Sequence, residues 1–174
     1  MFQHALETIS KQVLIRPTYD NFIGGKFVAP VEGRYFNNLS LITGAKLCQI
    51  ARSTAADIDL ALDAAHKAKD AWGRTPVAER SVILNKIADK MAANLDLLAL
   101  IETLDNGKPI NESRQGDLPL VVDCLRYYAG WADKIEGRTV PVRGSFLSYT
   151  LRQPVGVIGQ IRTCFEIVSN ACWT

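Results

Sequence analysis

Four cysteines are the residues of this chain with the widest chemical range: Cys48, Cys124, Cys164 and Cys172. A thiol attacks a carbonyl or binds a metal only as the thiolate, which needs neighbours that lower its pKa. A structural zinc site needs close, paired ligands. No two of these cysteines have that spacing, and neither His4 nor His66 has an acid or ligand set beside it. His66 lies among Ala, Lys and Asp in a helix-patterned stretch and is read as solvent-exposed. Cys48 and Cys124 stand in apolar company and are expected to be buried as small hydrophobes. With no apolar secretory core at the N-terminus, all four are read as reduced thiols of a cytoplasmic protein.

Composition narrows the classes further. The chain has 174 residues, 48% hydrophobic and 22% charged, with a formal charge of +2. That length can bury a core as one domain. Lys86, Lys90 and Lys108 are interleaved with carboxylates rather than gathered on one face, so no nucleic-acid footprint is expected. No apolar run reaches the roughly 18 residues that span a bilayer. Residues 1–16 carry His4, Ser10, Lys11 and Arg16 against a single Glu7. A short helix or ragged extension is the preferred reading, and a weak organelle-targeting helix is the alternative.

The elements that must position any site follow from turns and periods. Gly24-Gly25 between Phe22-Ile23 and Lys26-Phe27-Val28 predicts a tight hairpin. Gly33 and Gly44 mark turns, with strands at Phe36 and Leu47–Ile50. Thr54-Ala-Ala-Asp57 opens a helix as a capping box does. Ile58, Leu62, Ala65 and Trp72 follow at helical spacing. A second helix starts at Thr75-Pro76, with Ile83, Ile87 and Met91 inward. A third, capped by Asn94, carries Leu97, Leu98, Ile101 and Leu104 and stops at Asn106-Gly107. A fourth starts at Asp117 and Pro119, with Val121, Val122, Leu125, Tyr128 and Ala132 inward, and ends at Gly137. Leu147, Tyr149 and Leu151 alternate with polar residues as in a half-buried strand. Val155–Ile161 is almost wholly apolar, as in a strand covered on both faces of a parallel sheet.

Composition and periodicity stop at an α/β domain. Four local words go further: Asn21-Phe-Ile-Gly-Gly-Lys-Phe27, Glu102-Thr-Leu-Asp-Asn-Gly-Lys-Pro109, Leu125-Arg-Tyr-Tyr-Ala-Gly-Trp131 and Pro154-Val-Gly-Val-Ile-Gly-Gln-Ile161. In this order and spacing they resemble the N-terminal portion of the aldehyde dehydrogenase superfamily. The stretch through Lys108 is similar to acetaldehyde-type members, and that from Tyr127 onward to broad-substrate and retinal-type members. The resemblance implies an α/β fold made of N-terminal strands, a helical layer, a β-hairpin oligomerisation arm and the first strand of an incomplete Rossmann-like cofactor domain. It implies these segments: an extension at 1–20, the N-terminal part of the cofactor domain at 21–137, the arm at 138–153, and the first cofactor strand with a divergent tail at 154–174.

The same resemblance bears on chemistry. In the family a cysteine thiolate attacks the aldehyde, hydride passes to NAD or NADP, and a glutamate activates the water that releases the acid. An asparagine and the nucleophile's amide hold the oxyanion. After Ile161 the family has a Pro-Trp-Asn-Phe-Pro loop, whereas this chain reads Arg162, Thr163, Cys164 and Phe165. Phe165 falls at the asparagine position and offers no hydrogen bond. Cys164 falls at the tryptophan position, without the Glu-Leu-Gly-Gly or Gly-Gln-x-Cys words that mark the reacting groups. Gly156 and Gly159 within an apolar run suit close packing rather than phosphate binding. No catalytic residue is therefore assigned, and no cofactor-binding residue beyond the altered positions 162–165. The one lesser site is a remnant monovalent-cation site at the Leu39 carbonyl and Asp105, set against local pairing of Asp105 at a helix end.

The expectation is an N-terminal part of an NAD(P)-dependent enzyme that turns aldehyde into acid, inactive alone and weak in coenzyme binding. Its partners would be further copies or full-length subunits, with no nucleic acid and no membrane. The rivals are a non-catalytic interaction protein that associates with full-length subunits, and a truncated gene product without a selected role.

Overall fold

A computed structural model describes residues 15–161. Gly24 and Gly25 take φ of 59° and 80°, the paired positive values that a two-residue hairpin turn requires and that side chains resist. They join β2 (Asn21–Ile23) to β3 (Lys26–Val28), paired antiparallel with Phe22 opposite Phe27. The two rings meet edge to face at 5.2 Å. Upstream, β1 (Thr18–Tyr19) does not continue this hairpin. It pairs in parallel with β5 (Lys46–Ala51), which also pairs antiparallel with β4 (Tyr35–Leu39). The β4–β5 register shifts between Asn38 and Leu39. At its turn Ser40 N donates to Ala45 O and Gly44 N to Ser40 O.

Four helical runs follow. They are α1 (Ala55–Arg74), α2 (Val77–Ala93), α3 (Leu95–Asn106), and a broken helix formed by α4 (Ile110–Glu112), a π-helical turn (Ser113–Asp117) and α5 (Leu118–Trp131). Two predicted caps act on the helix behind them rather than the one ahead. Thr75 Oγ1 donates to Ala71 O and Asn94 Nδ2 to Lys90 O, closing α1 and α2 respectively. The fourth helix starts at Ile110, not near Asp117. Pro119 has no amide hydrogen, and its ring crowds the carbonyl four residues back. The wide turn just before it lets the helix run on across that defect.

The core sits where α2 packs on α5, with α3 beside the broken helix. Its most buried residues are mostly small: Ala88 and Ala99 are at 0% exposure, Val121 at 0% and Ala129 at 2%, with Leu118 also at 2%. Small residues let helix axes approach closely. Several predicted inward residues lie at the rim instead, among them Ile87, Leu97, Ile101 and Tyr128. Amphipathic spacing picked the face correctly but not its centre, which alanines occupy. On α1 only Asp57 is buried, while Ile58, Leu62 and Trp72 stay exposed.

Two expectations for the last segment are corrected. Of Phe146–Arg152 only β7 (Ser148–Tyr149) is paired, with β6 (Thr139–Val140), and Leu147, Tyr149 and Leu151 are exposed rather than half-buried. Val155–Ile161 forms no strand, and Val155, Ile158 and Ile161 are 90%, 70% and 99% exposed. A buried parallel strand needs neighbours on both edges, and among the described residues this segment has none.

Candidate functional site

At the C-terminal end of α3 the turn words of the sequence converge with the β4–β5 pair. Gly107 takes the left-handed conformation at φ 79° and sends its amide to Thr103 O, closing the helix. Asn106 Nδ2 donates to Glu102 Oε1 at 2.7 Å, and Asn106 Oδ1 accepts from Lys108 N at 2.8 Å. Across the gap Asn38 Nδ2 donates to Asp105 Oδ1 at 2.5 Å. The structure therefore brings Asp105 to the strand end that carries Leu39. Asp105 meets there the side-chain amide of Asn38, the local pairing weighed against a cation role.

Cys48 pairs with Asn38 across the same strands and is buried. Burial pushes its thiol up; Asn38 pulls the other way, Asp105 adds to the rise, and Lys46 opposes it. A thiol held in its neutral form is a poor nucleophile, in keeping with a packing role. Cys124 is buried on α5. The other sequence-flagged positions, Arg162, Thr163, Cys164 and Phe165, lie outside the described residues, as do Cys172 and His4. Among the described residues no three His, Cys, Asp or Glu side chains gather as a metal set. Nor is any helix there long and apolar enough to cross a membrane.

A second constellation ties the hairpin to the helical layer. Asp57, three residues into the α1 start and 2% exposed, accepts from Thr54 N at 2.8 Å and Thr54 Oγ1 at 3.1 Å through Oδ2. Its Oδ1 accepts from Val31 N at 2.9 Å and Asn21 Nδ2 at 3.2 Å. The capping pattern showed the first half of this in sequence. The ties to Asn21 and Val31 were not legible, because they join residues 36 and 26 positions apart. The amides of Thr54 and then Val31 hold the Asp57 carboxyl below its ordinary 3.8, against the opposing push of burial. A depressed carboxyl adds stability that is fully present above the ordinary carboxylate range and is lost as pH falls through the lowered value. Asp57→Asn is expected to lower Tm at neutral pH by on the order of 5–10 °C. It should also flatten the acid side of the Tm-against-pH curve. Calorimetry from neutral to strongly acid pH checks both, and parallel acid limbs would refute the assignment.

The π-helical turn was also missed, although Gly116 and Pro119 so close together were a signal for it. Lys108 Nζ lies 2.5 Å from Asp117 Oδ2, with side chains 12% and 26% exposed, so a half-buried charge pair spans the turn. Both side chains are largely withdrawn from water, so the attraction between these charges is little screened. The pair joins the Asn106–Lys108 corner to the start of α5.

Together these features describe a two-layer α/β unit: strands and hairpin, a helical layer locked to them by Asp57 and Asp105, and a short exposed strand pair after it. The aldehyde dehydrogenase family profile matches residues 27–168, and the chain belongs to that family. The match runs past Ile161, so family character extends some way into the altered tail. An aldehyde dehydrogenase of Paracoccus denitrificans is 54% identical over 155 residues, 89% of this chain and 30% of that protein. An acetaldehyde dehydrogenase of Pseudomonas aeruginosa is 52% identical over 149 residues, 86% of this chain and 29% of that one. The structure of a Bacillus cereus aldehyde dehydrogenase with NAD+ superposes at a TM-score of 0.78 and 34% identity, covering 84% of this chain and 30% of its own. The chain thus spans about a third or less of the length of these relatives.

Proposed function

We propose that this chain is the N-terminal portion of an NAD(P)-dependent aldehyde dehydrogenase, an oxidoreductase that converts an aldehyde to a carboxylic acid, and that these 174 residues do not catalyse the reaction by themselves. One observation carries the reading. The Paracoccus denitrificans relative matches 89% of this chain at 54% identity, yet the matched part is 30% of its length. Within that part Asp57 and Asp105 brace the layers and burial raises the pKa of the Cys48 thiol, which supports a positioning role for these residues rather than bond-making. NAD belongs to this reading through the Bacillus cereus complex, and NADP is its equal alternative. Weak coenzyme affinity of the chain alone is part of the proposal, as is a cytoplasmic setting. The Leu39 carbonyl and Asp105 stay in it only as a lesser cation site. Homogeneous protein mixed with acetaldehyde and NAD should leave nicotinamide absorbance unchanged.

The exposed arm and the apolar run after it favour one accessory reading. Unpaired strand edges beside large exposed apolar side chains associate with other chains. In that reading the chain joins further copies or full-length subunits without itself reacting. Co-expression with a full-length relative, followed by pull-down, tests it: co-elution is expected, and separate elution would remove its support.

A further inference from the structure

The sequence holds a single Asn-Gly pair, Asn106-Gly107. Glycine puts no side chain in the way of its own amide nitrogen, so this pair is chemically prone to cyclise. The Gly107 nitrogen loses its proton and attacks the Asn106 side-chain carbonyl carbon. A carbon–nitrogen bond forms, ammonia leaves, and a succinimide remains. Water then opens the ring at either carbonyl to give aspartate or isoaspartate. No oxidant or catalyst is needed.

The fold opposes each part of that motion. Asn106 is the last residue of α3, and the Gly107 amide is committed to Thr103 O at 3.0 Å. The side chain that must turn toward Gly107 is held at both ends, by Glu102 Oε1 at 2.7 Å and Lys108 N at 2.8 Å. Left-handed Gly107 sets the chain direction beyond it and lies over the β4–β5 turn, where an added Cβ would meet Leu41 Cβ at 3.4 Å. Attack requires this corner to open first. Opening of a helix end is a local event with its own free energy, below that of global unfolding.

The product would also harm the corner that had protected it. Glu102 is 6% exposed and accepts the Asn106 amide. An aspartate at position 106 replaces that donor with a second carboxylate, four residues along the same helix face, where like charges repel. Asp105, bound to Asn38, lies beside it. We infer that Asn106 is a latent deamidation site, gated by the C-terminal cap of α3, whose product weakens the cap that holds it silent.

The test follows deamidation by peptide mass spectrometry at mildly alkaline pH, with the intact chain folded in buffer and unfolded in denaturant. Asn94 before Leu95 and Asn111 before Glu112 serve as hindered controls in the same region. Asn106 should convert first when unfolded, and roughly tenfold or more slowly when folded. Glu102→Ala should speed the folded reaction and leave the unfolded rate unchanged. Asn106→Asp, imitating the product, should melt below the parent chain. Equal folded and unfolded rates would overturn the gating, and prior conversion of Asn94 or Asn111 in the unfolded chain would overturn Asn106 as the labile site. An Asn106→Asp chain as stable as the parent would overturn the self-weakening. If Glu102→Ala fails to fold by circular dichroism, the comparison on the parent chain still decides the gating.

Discussion

Replacing Val121 by aspartate will abolish cooperative folding of the helical layer. Val121 is wholly buried on α5, in the packing against α2, whose Ala88 is equally buried. A carboxylate there gains no water and has no room to turn outward, since Val121 and Ala88 are both wholly enclosed in a close-packed interior. A buried charge costs several kcal/mol, the neutral acid formed by taking up a proton still leaves buried polar atoms without partners, and a domain of this size holds only about 5–15 kcal/mol in all. Loss of about 4 kcal/mol or more is therefore expected. In urea the sigmoidal transition seen by circular dichroism should vanish or shift to very low denaturant. Leu120→Asp, one residue along and half exposed, should shift the midpoint by far less. Equal effects at the two positions would show that α5 does not pack through this face.

The sequence made the local parts legible. Gly24-Gly25 and Asn106-Gly107 each name a left-handed backbone conformation that few other residues adopt, Thr54 with Asp57 names a side-chain cap, and each holds in the structure. The family words from Asn21 to Ile161 carried the fold class, because their order reflects one chain path. What stayed hidden was longer in range or subtler in period. No local rule links Asn21 to Asp57 or Asn38 to Asp105. Alanine reads as neutral in a periodic pattern, so periodicity puts the rim positions Ile87 and Tyr128 at the core's centre, which Ala88 and Ala129 occupy. Val155–Ile161 reads as a buried strand because its composition records a covered environment. In the chain alone it lies bare, since strand character depends on partners as well as on residues.

That bare segment yields the second large effect. Leu147, Leu151, Val155 and Ile158 are all at least 69% exposed, and β6 and β7 pair over only two residues each. A large aliphatic side chain moved out of water gains roughly 1.5–3 kcal/mol, so a few such residues suffice to drive association at ordinary protein concentrations. The chain should run as oligomers in light scattering. Serine at all four positions should shift it toward the mass of one chain, weakening association by orders of magnitude. The thermal transition of the helical layer should hardly move, because these residues lie outside its core. A parent chain that is sharply monomeric at every concentration would refute the reading of the arm and the apolar run as interaction surfaces.

The most direct test of the central claim is a turnover measurement on the homogeneous chain. Acetaldehyde with NAD, and in a parallel series NADP, is added in excess while nicotinamide absorbance is followed from the first seconds, with a full-length relative as positive control. No steady rate and no initial burst are expected for this chain if, as proposed, it supplies position rather than the reacting groups. Sustained reduction of the coenzyme, or a burst of one equivalent per chain, would contradict that claim.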